Sequence, residues 1–206
     1  MNEVRCMPEL KLFNKWSFGG IEIKDLGLKP YINLNPCVIP KTGGKFSQRK
    51  FYKSKMNIIE RLVNKLMVPG HRGKKHLLSS GRNIGKTQTI LNIIKEVFEK
   101  LEKRTNKNPI EVLAGAIENA ALREEITSYQ MGGIMVRKAV CTSPQRRVDK
   151  ALTVITQSAY RKSFGKKTSM ADALVDEIFF AYKNDSSKSE AIKEKERIER
   201  EAGGAR

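Results

Sequence analysis

The stretch REEITSYQMGGIMVRKAVCTSPQRRVDK, residues 123–150, decides how this chain is read. Glu125 to Gln130 and Ile134 to Cys141 are strand-like runs joined around Met131-Gly132-Gly133. A glycine pair between two such runs predicts a tight hairpin, because primed turns need positive φ at their central residues. A two-stranded hairpin alone is only marginally stable. With Tyr129, Met131, Ile134, Met135 and Arg137 near its end, it is expected to rest on a partner; folding back onto the chain's own helices is the alternative. Ser143-Pro144 then opens a helix, with Val148, Ala151, Leu152, Ile155 and Ala159 facing inward and Arg146, Arg147 and Lys150 on a common side of its first turns. Cations at a helix N-terminus oppose the macrodipole, an arrangement that an external anion would explain. Arg123 at the hairpin base and Arg137 and Lys138 on its second strand enlarge this basic set, in which Asp149 is the acidic exception.

On either side the rhythm is helical. Ile58, Ile59, Leu62, Val63 and Leu66 recur at helical spacing until Pro69-Gly70, and Ile90, Ile93, Ile94, Val97, Phe98 and Leu101 mark a helix running to about Arg104. Asn108-Pro109-Ile110-Glu111 predicts a capped helix start, with Ile110, Leu113, Ala114, Ile117 and Ala121 buried. Ser169-Met170-Ala171-Asp172 repeats the capping pattern ahead of Leu174, Val175, Ile178, Phe179 and Tyr182. Ser189 to Glu201 alternates Glu with Lys and Arg, with only Ile192 and Ile198 as apolar anchors. It is expected to be a solvated or RNA-bordering helix outside the core. The fold class is therefore mainly α, with about six helices, a hairpin at about 125–141 and a helical domain spanning 56–206. Residues 1–55 read as an extended basic arm, punctuated by Pro8, Pro30, Pro36 and Pro40. Its later part carries Lys41, Lys45, Arg49, Lys50, Lys53 and Lys55 with no acidic residue, interleaved with Phe46, Phe51 and Tyr52. Such a composition orders poorly in isolation, but against RNA its cations can meet phosphates while its rings stack on bases.

Charge limits the partners. Lys and Arg number 40 against 22 Asp and Glu, a formal charge of +18. That much self-repulsion makes sense only if a polyanion neutralises it. No run approaches the ~18 consecutive apolar residues of a spanning helix, and no membrane partner is expected. Cys6, Cys37 and Cys141 are odd in number and far apart, which disfavours a disulfide framework or zinc ribbon and fits a reducing cytoplasm. His71 and His76 lie in a basic loop from His71 to Lys86, with Lys74, Lys75, Arg82 and Lys86, and are expected to meet phosphate and not metal. Gly81-Arg82-Asn83-Ile84-Gly85-Lys86-Thr87 imitates a phosphate-binding loop, but three residues separate its glycines where four are needed, and the polar residues before it make a poor feeding strand. No catalytic set, metal site or cofactor is expected.

Asn108-Pro109-Ile110-Glu111-Val112-Leu113, Ala116-Ile117-Glu118-Asn119-Ala120, Arg123-Glu124-Glu125, Gly132-Gly133-Ile134 and Ser143-Pro144-Gln145-Arg146-Arg147 together resemble the universal small-subunit ribosomal protein seven family, whose eukaryotic counterpart is protein five. Trp16-Ser17 and Pro30-Tyr31-Ile32-Asn33-Leu34 look archaeal. The resemblance implies a helical bundle with a protruding two-stranded hairpin, located in the cytoplasm within the small ribosomal subunit. It also implies binding to the three-prime major domain of small-subunit rRNA and nucleation of head assembly beside neighbouring head proteins. By the same carry-over, the hairpin end, Gln130, Met131, Gly132, Gly133, Ile134 and Met135, lies near exit-site tRNA and mRNA. Arg146, Arg147 and the cations from Lys41 to Lys55 would meet rRNA, and no homo-oligomer is implied. Leu122 stands where the family usually has Pro, Cys141 where an acidic residue is usual, and Gly203-Gly204 where a polar pair is customary. A helix-turn-helix DNA-binding regulator is the competing reading; its cations should concentrate on one compact recognition helix, whereas these spread over an arm, a loop, a hairpin and a helix.

Overall fold

The computed structural model describes residues 10–72, 75–76 and 81–205, with the side chains of 71, 72, 75, 76 and 82 outside that description. Cys6 and Lys74 therefore lie outside the described residues, as do the side chains of His71, Lys75, His76 and Arg82. Six helices are present among the described residues: α1 Ile58–Met67, α2 Thr87–Thr105, α3 Pro109–Ala120, α4 Pro144–Ser163, α5 Met170–Tyr182 and α6 Glu190–Gly203. The basic loop expected after α1 contains a short antiparallel pair, β1 His71–Arg72 with β2 Lys75–His76. A single 3-10 turn, Gly81–Asn83, then precedes α2. The hairpin consists of β3 Glu124–Met131 and β4 Ile134–Cys141, so Met131 belongs to the strand and the turn has two residues. Gly132 (φ +57°) and Gly133 (φ +86°) supply the positive φ that both turn positions need.

Three local signals place the helices. Asn108 accepts from the Ile110 amide at 3.1 Å ahead of Pro109. Ser169 accepts from the Asp172 amide at 3.1 Å and donates to its carboxylate at 2.7 Å. Ser143 differs: its side chain makes no capping bond, and α4 starts there because Pro144 presets a helical φ at the first position. α5 is the central helix and packs against α2, α3 and α4. Leu174 and Ile178 on α5, Leu113 and Ile117 on α3, and Leu152 and Ile155 on α4 are wholly buried. Helix α3 comes so close to α5 that a Cβ on Gly115 would lie 2.9 Å from the Tyr182 ring.

Two expectations need correction. α6 is not a solvated helix outside the core: Ala191 and Ile192 join the main core, and Ala202 is fully buried. Small side chains let this charged helix approach α4 closely, which counting large apolar residues does not register. The arm forms no long helix or strand, yet its early part is also an integral piece of the core. Leu12, Trp16, Phe18, Leu28 and Ile32 are buried. The Trp16 ring meets Phe98 edge-on at 5.6 Å, and its indole N–H donates to Glu102 at 3.0 Å. Irregular backbone tolerates such burial when its polar groups are met elsewhere. Asn108 donates to the Ser17 carbonyl at 2.7 Å, and Glu118 accepts from the Asp25 amide at 3.1 Å.

Candidate nucleic-acid interface

The start of α4 sends its three cations to different places. Arg146 forms a two-pronged pair with Glu125 at the hairpin base, Nε to Oε1 at 2.5 Å and Nη2 to Oε2 at 2.9 Å, while remaining half exposed. Arg147 turns the other way, with only 13% of its side chain exposed. It donates to the Asp25 carboxylate at 2.7 Å and to the Leu122 carbonyl at 2.8 Å, which straps the arm to the entry of the hairpin. Lys150 faces a hollow shared with Arg146 and Lys65. The common side expected for Arg146, Arg147 and Lys150 therefore holds for the first and last of them only. Arg147 is drawn inward because Asp25 and the Leu122 carbonyl both lie within reach of its planar donor fork.

Asp149 does not dilute the basic surface, since it is occupied internally. It accepts from Lys53 at 2.8 Å and from the buried Arg61 at 3.2 Å, and Arg61 also donates to the Tyr31 carbonyl at 2.8 Å. Burial acts to raise the Asp149 carboxyl, but the hydrogen bond from Lys53 and the field of Arg61 outweigh it and hold the group below the usual carboxylate range. Further along the arm, Arg49 and Lys55 lie over the Tyr52 ring at 5.7 and 4.4 Å. Lys41, Lys45 and Lys50 are exposed and make no ion pair among the described residues, and Phe51 beside them is 75% exposed. Lys86 is exposed at the start of α2, where Gly85 takes φ +76°.

The hairpin divides between the two readings left open for it. Its base rests on the chain's own last helix: Glu199 accepts from the Arg123 amide at 2.9 Å, and the Ala205 carbonyl accepts from the Ala139 amide at 3.4 Å. Its far end faces solvent. Tyr129, Met131, Ile134 and Met135 are all exposed there, together with Gln130. Arg137 pairs across the ladder with Ser128 and Lys138 with Thr127, so these two exposed cations leave opposite faces of the ribbon. Leu122, the departure at the entry to β3, is buried and lends its carbonyl to Arg147. Cys141 is exposed opposite Glu124.

Sequence reasoning missed a hollow of about 860 Å³ between α1, α4 and α6. Lys65, Lys150 and Lys195 enter it, with Arg49 at its arm side. Burial pushes the Lys65 and Lys195 ammonium groups below the usual lysine value, with the neighbouring cations contributing in the same direction. Lys195 donates to the Asn119 carbonyl at 2.8 Å, whereas Lys65 and Lys150 make no ion pair or hydrogen bond among the described residues. Lys65 sits on the polar side of the α1 stripe, so periodicity alone assigns it to solvent; the return of α6 past it has no local signal. Among the described residues no group of three His, Cys, Asp or Glu could hold a metal ion, and no helix is long and apolar enough to cross a membrane.

The described residues form a mainly helical scaffold with a projecting ribbon and a basic surface assembled from arm, hairpin and helix start. The chain belongs to the ribosomal protein S7p/S5e family, whose family model matches residues 29–206. It is similar to the small ribosomal subunit protein uS7 of Nanoarchaeum equitans, at 46% identity over 198 residues, covering 96% of this chain and all of the relative. The uS7 of Methanococcus aeolicus is 46% identical over the same share of both chains. That of Methanothrix thermoacetophila is 42% identical over 197 residues. The protein is thus a small-subunit ribosomal protein of archaeal type, and the DNA-binding regulator is set aside.

Proposed function

We propose that the chain binds the three-prime major domain of small-subunit rRNA, nucleates assembly of the head beside neighbouring head proteins, and holds its hairpin end near exit-site tRNA and mRNA. The observation that carries this reading is the set of exposed arm lysines, Lys41, Lys45 and Lys50, which make no ion pair among the described residues. In the arm, Lys41, Lys45 and Lys50 reach phosphate directly, and Arg49 and Lys55 carry Tyr52 with them as a stacking platform. Lys53 contributes from its bridge to Asp149. Lys86 is exposed at the start of α2, and the sequence adds Lys74, Lys75 and Arg82 shortly before it. Arg123, Arg137 and Lys138 act along the hairpin, and Arg146 and Lys150 at the start of α4. Arg147 serves the same surface from behind by holding Asp25. The exposed apolar end of the ribbon, from Gln130 to Met135, has the composition for contacts with bases and not phosphates.

The test is binding of the full chain to small-subunit rRNA and to duplex DNA at matched salt. The expected result is a preference for rRNA and a linear fall of log affinity with log salt. A chain with a shortened hairpin should keep its rRNA affinity, enter small subunits as a single copy and disturb tRNA release. Equal affinity for DNA, or absence from small subunits in a gentle lysate, would overturn the proposal.

A further inference from the structure

We infer that the hollow between α1, α4 and α6 receives a single RNA nucleotide turned out of its stack, with the base on the apolar floor and its phosphates on Lys65 and Lys150. This rests on the rRNA-binding reading and specifies what one part of that surface recognises. The floor is built from Met56, Val68, Leu122, Val154, Ala191 and Ile198, drawn from the approach to α1, the hairpin entry, α4 and α6. A surface meant only for phosphate needs no such floor, because phosphates are met by charges and amides at a polar face. A hollow meant for an apolar peptide has no use for cations at its mouth. Here the Lys65 side chain is half-buried and makes no ion pair of its own, since Asp149, the carboxylate whose field reaches it, is already held by Lys53 and Arg61, and Lys150 stands one helix away, also half-buried and without an ion pair.

The volume, about 860 Å³, lies in the range of sites that enclose a small organic group. The mouth also carries the hydrogen-bonding equipment to orient a base. Asn64 and Thr153 line it, offering amide and hydroxyl groups to a base edge. Phe46, from the basic arm, closes one side and supplies a ring to stack on. Arg61 forms part of the wall with its Nε buried and unpartnered, so the wall keeps an unmet donor. An occupant that is flat, apolar on its faces, polar at its edge and anionic at its link satisfies all of these features. A nucleotide in an unpaired segment of folded RNA has that chemistry, and single-stranded bases are the ones available for such insertion.

The experiment uses the full chain and small-subunit rRNA. Val68 is exposed at the lining, so Val68→Trp fills the hollow without entering the core. It should weaken rRNA binding about tenfold, the scale of one lost base stack, while leaving the salt slope unchanged. Lys65→Gln should instead lower the slope by about one. A photoreactive benzoylphenylalanine at exposed Ser47, which lines the hollow, in small subunits assembled with the full chain, should cross-link to the base of one rRNA nucleotide. Circular dichroism and thermal melting of each variant control for folding. Wild-type affinity in Val68→Trp, or a cross-link only to ribose, means the strand passes over the mouth and overturns the inference. A cross-link to another protein makes the occupant a peptide and does the same. In those outcomes the rRNA-binding reading survives, whereas a wild-type chain with no rRNA affinity sinks both.

Discussion

Glu177 is fully buried in the middle of α5 and accepts four hydrogen bonds. Ser158 and Lys162 of α4 donate to one oxygen at 2.8 and 2.6 Å; Ser189 and the Ala191 amide, at the start of α6, donate to the other at 2.8 and 2.9 Å. One carboxylate thus ties three helices together and places negative charge at the positive end of α6. Glu177→Ala removes all four bonds at once. Lys162 is 31% exposed and can rehydrate, so no charge is stranded. The Ser158 and Ser189 hydroxyls and the Ala191 amide are buried and would lose their acceptor, at about 1–3 kcal/mol for each group left unmet. Water entering the new space relieves part of that, and a net loss of about 3–5 kcal/mol is expected. For a chain of this size the melting temperature should fall by about 6–20 °C. Glu177→Gln keeps the shape but loses the charge, and should cost about half as much. Urea unfolding followed by circular dichroism measures both variants. Hydrogen exchange should also quicken at Ala139, because α6 carries the contacts that hold the hairpin base. Stability of Glu177→Ala within about 0.5 kcal/mol of wild type, the usual range for surface changes, would refute the reasoning.

Three other perturbations follow from the same geometry. Arg147→Ala should cost about 2–3 kcal/mol by leaving Asp25 and the Leu122 carbonyl without their donor, and a double-mutant cycle with Asp25→Asn should show coupling of at least about 0.5 kcal/mol. Gly115→Ala should cost about 1–3 kcal/mol in urea unfolding, because the added methyl meets the Tyr182 ring across the α3–α5 contact. Acidification should loosen the seat of the arm. The folded-state value of Asp149 is depressed, so its contribution is complete above the ordinary aspartate value and is lost as pH falls through the lowered one. A pH titration of stability should therefore decline below about pH 4, and Asp149→Asn should flatten that decline.

What the sequence discloses and what it conceals divide by distance along the chain. The Asn108 and Ser169 caps, the Gly132-Gly133 turn and the stripes of α2 and α3 were legible because each depends on residues within a few positions of one another. Ser143 kept the pattern and lost the bond, since a proline can start a helix without help from the cap. α6 misled because Ala191 and Ala202 are buried as well as Ile192, and a search for large apolar anchors passes over the two alanines. Glu177, flanked by Asp176 on an acidic-looking helix, resembles a surface carboxylate until four distant donors converge on it. The basic set around α4 was visible as composition, but which cation faces outward depends on Asp25 and Glu125. No periodicity reports that a distant arm residue neutralises Arg147, or that α6 returns to form one wall of the hollow at Lys65.

The Asp25–Arg147 strap joins positions 122 residues apart. During synthesis the arm leaves the ribosome first, and the helix that anchors it does not yet exist. At about 5–20 residues per second, the delay is roughly 6–24 s. Throughout it Asp25 and Lys53 lack their partners on α4, although Trp16 can already close on α2. The arm's last ties are thus made late, and premature contact between its cationic part and a stray polyanion is a hazard of the fold's own topology.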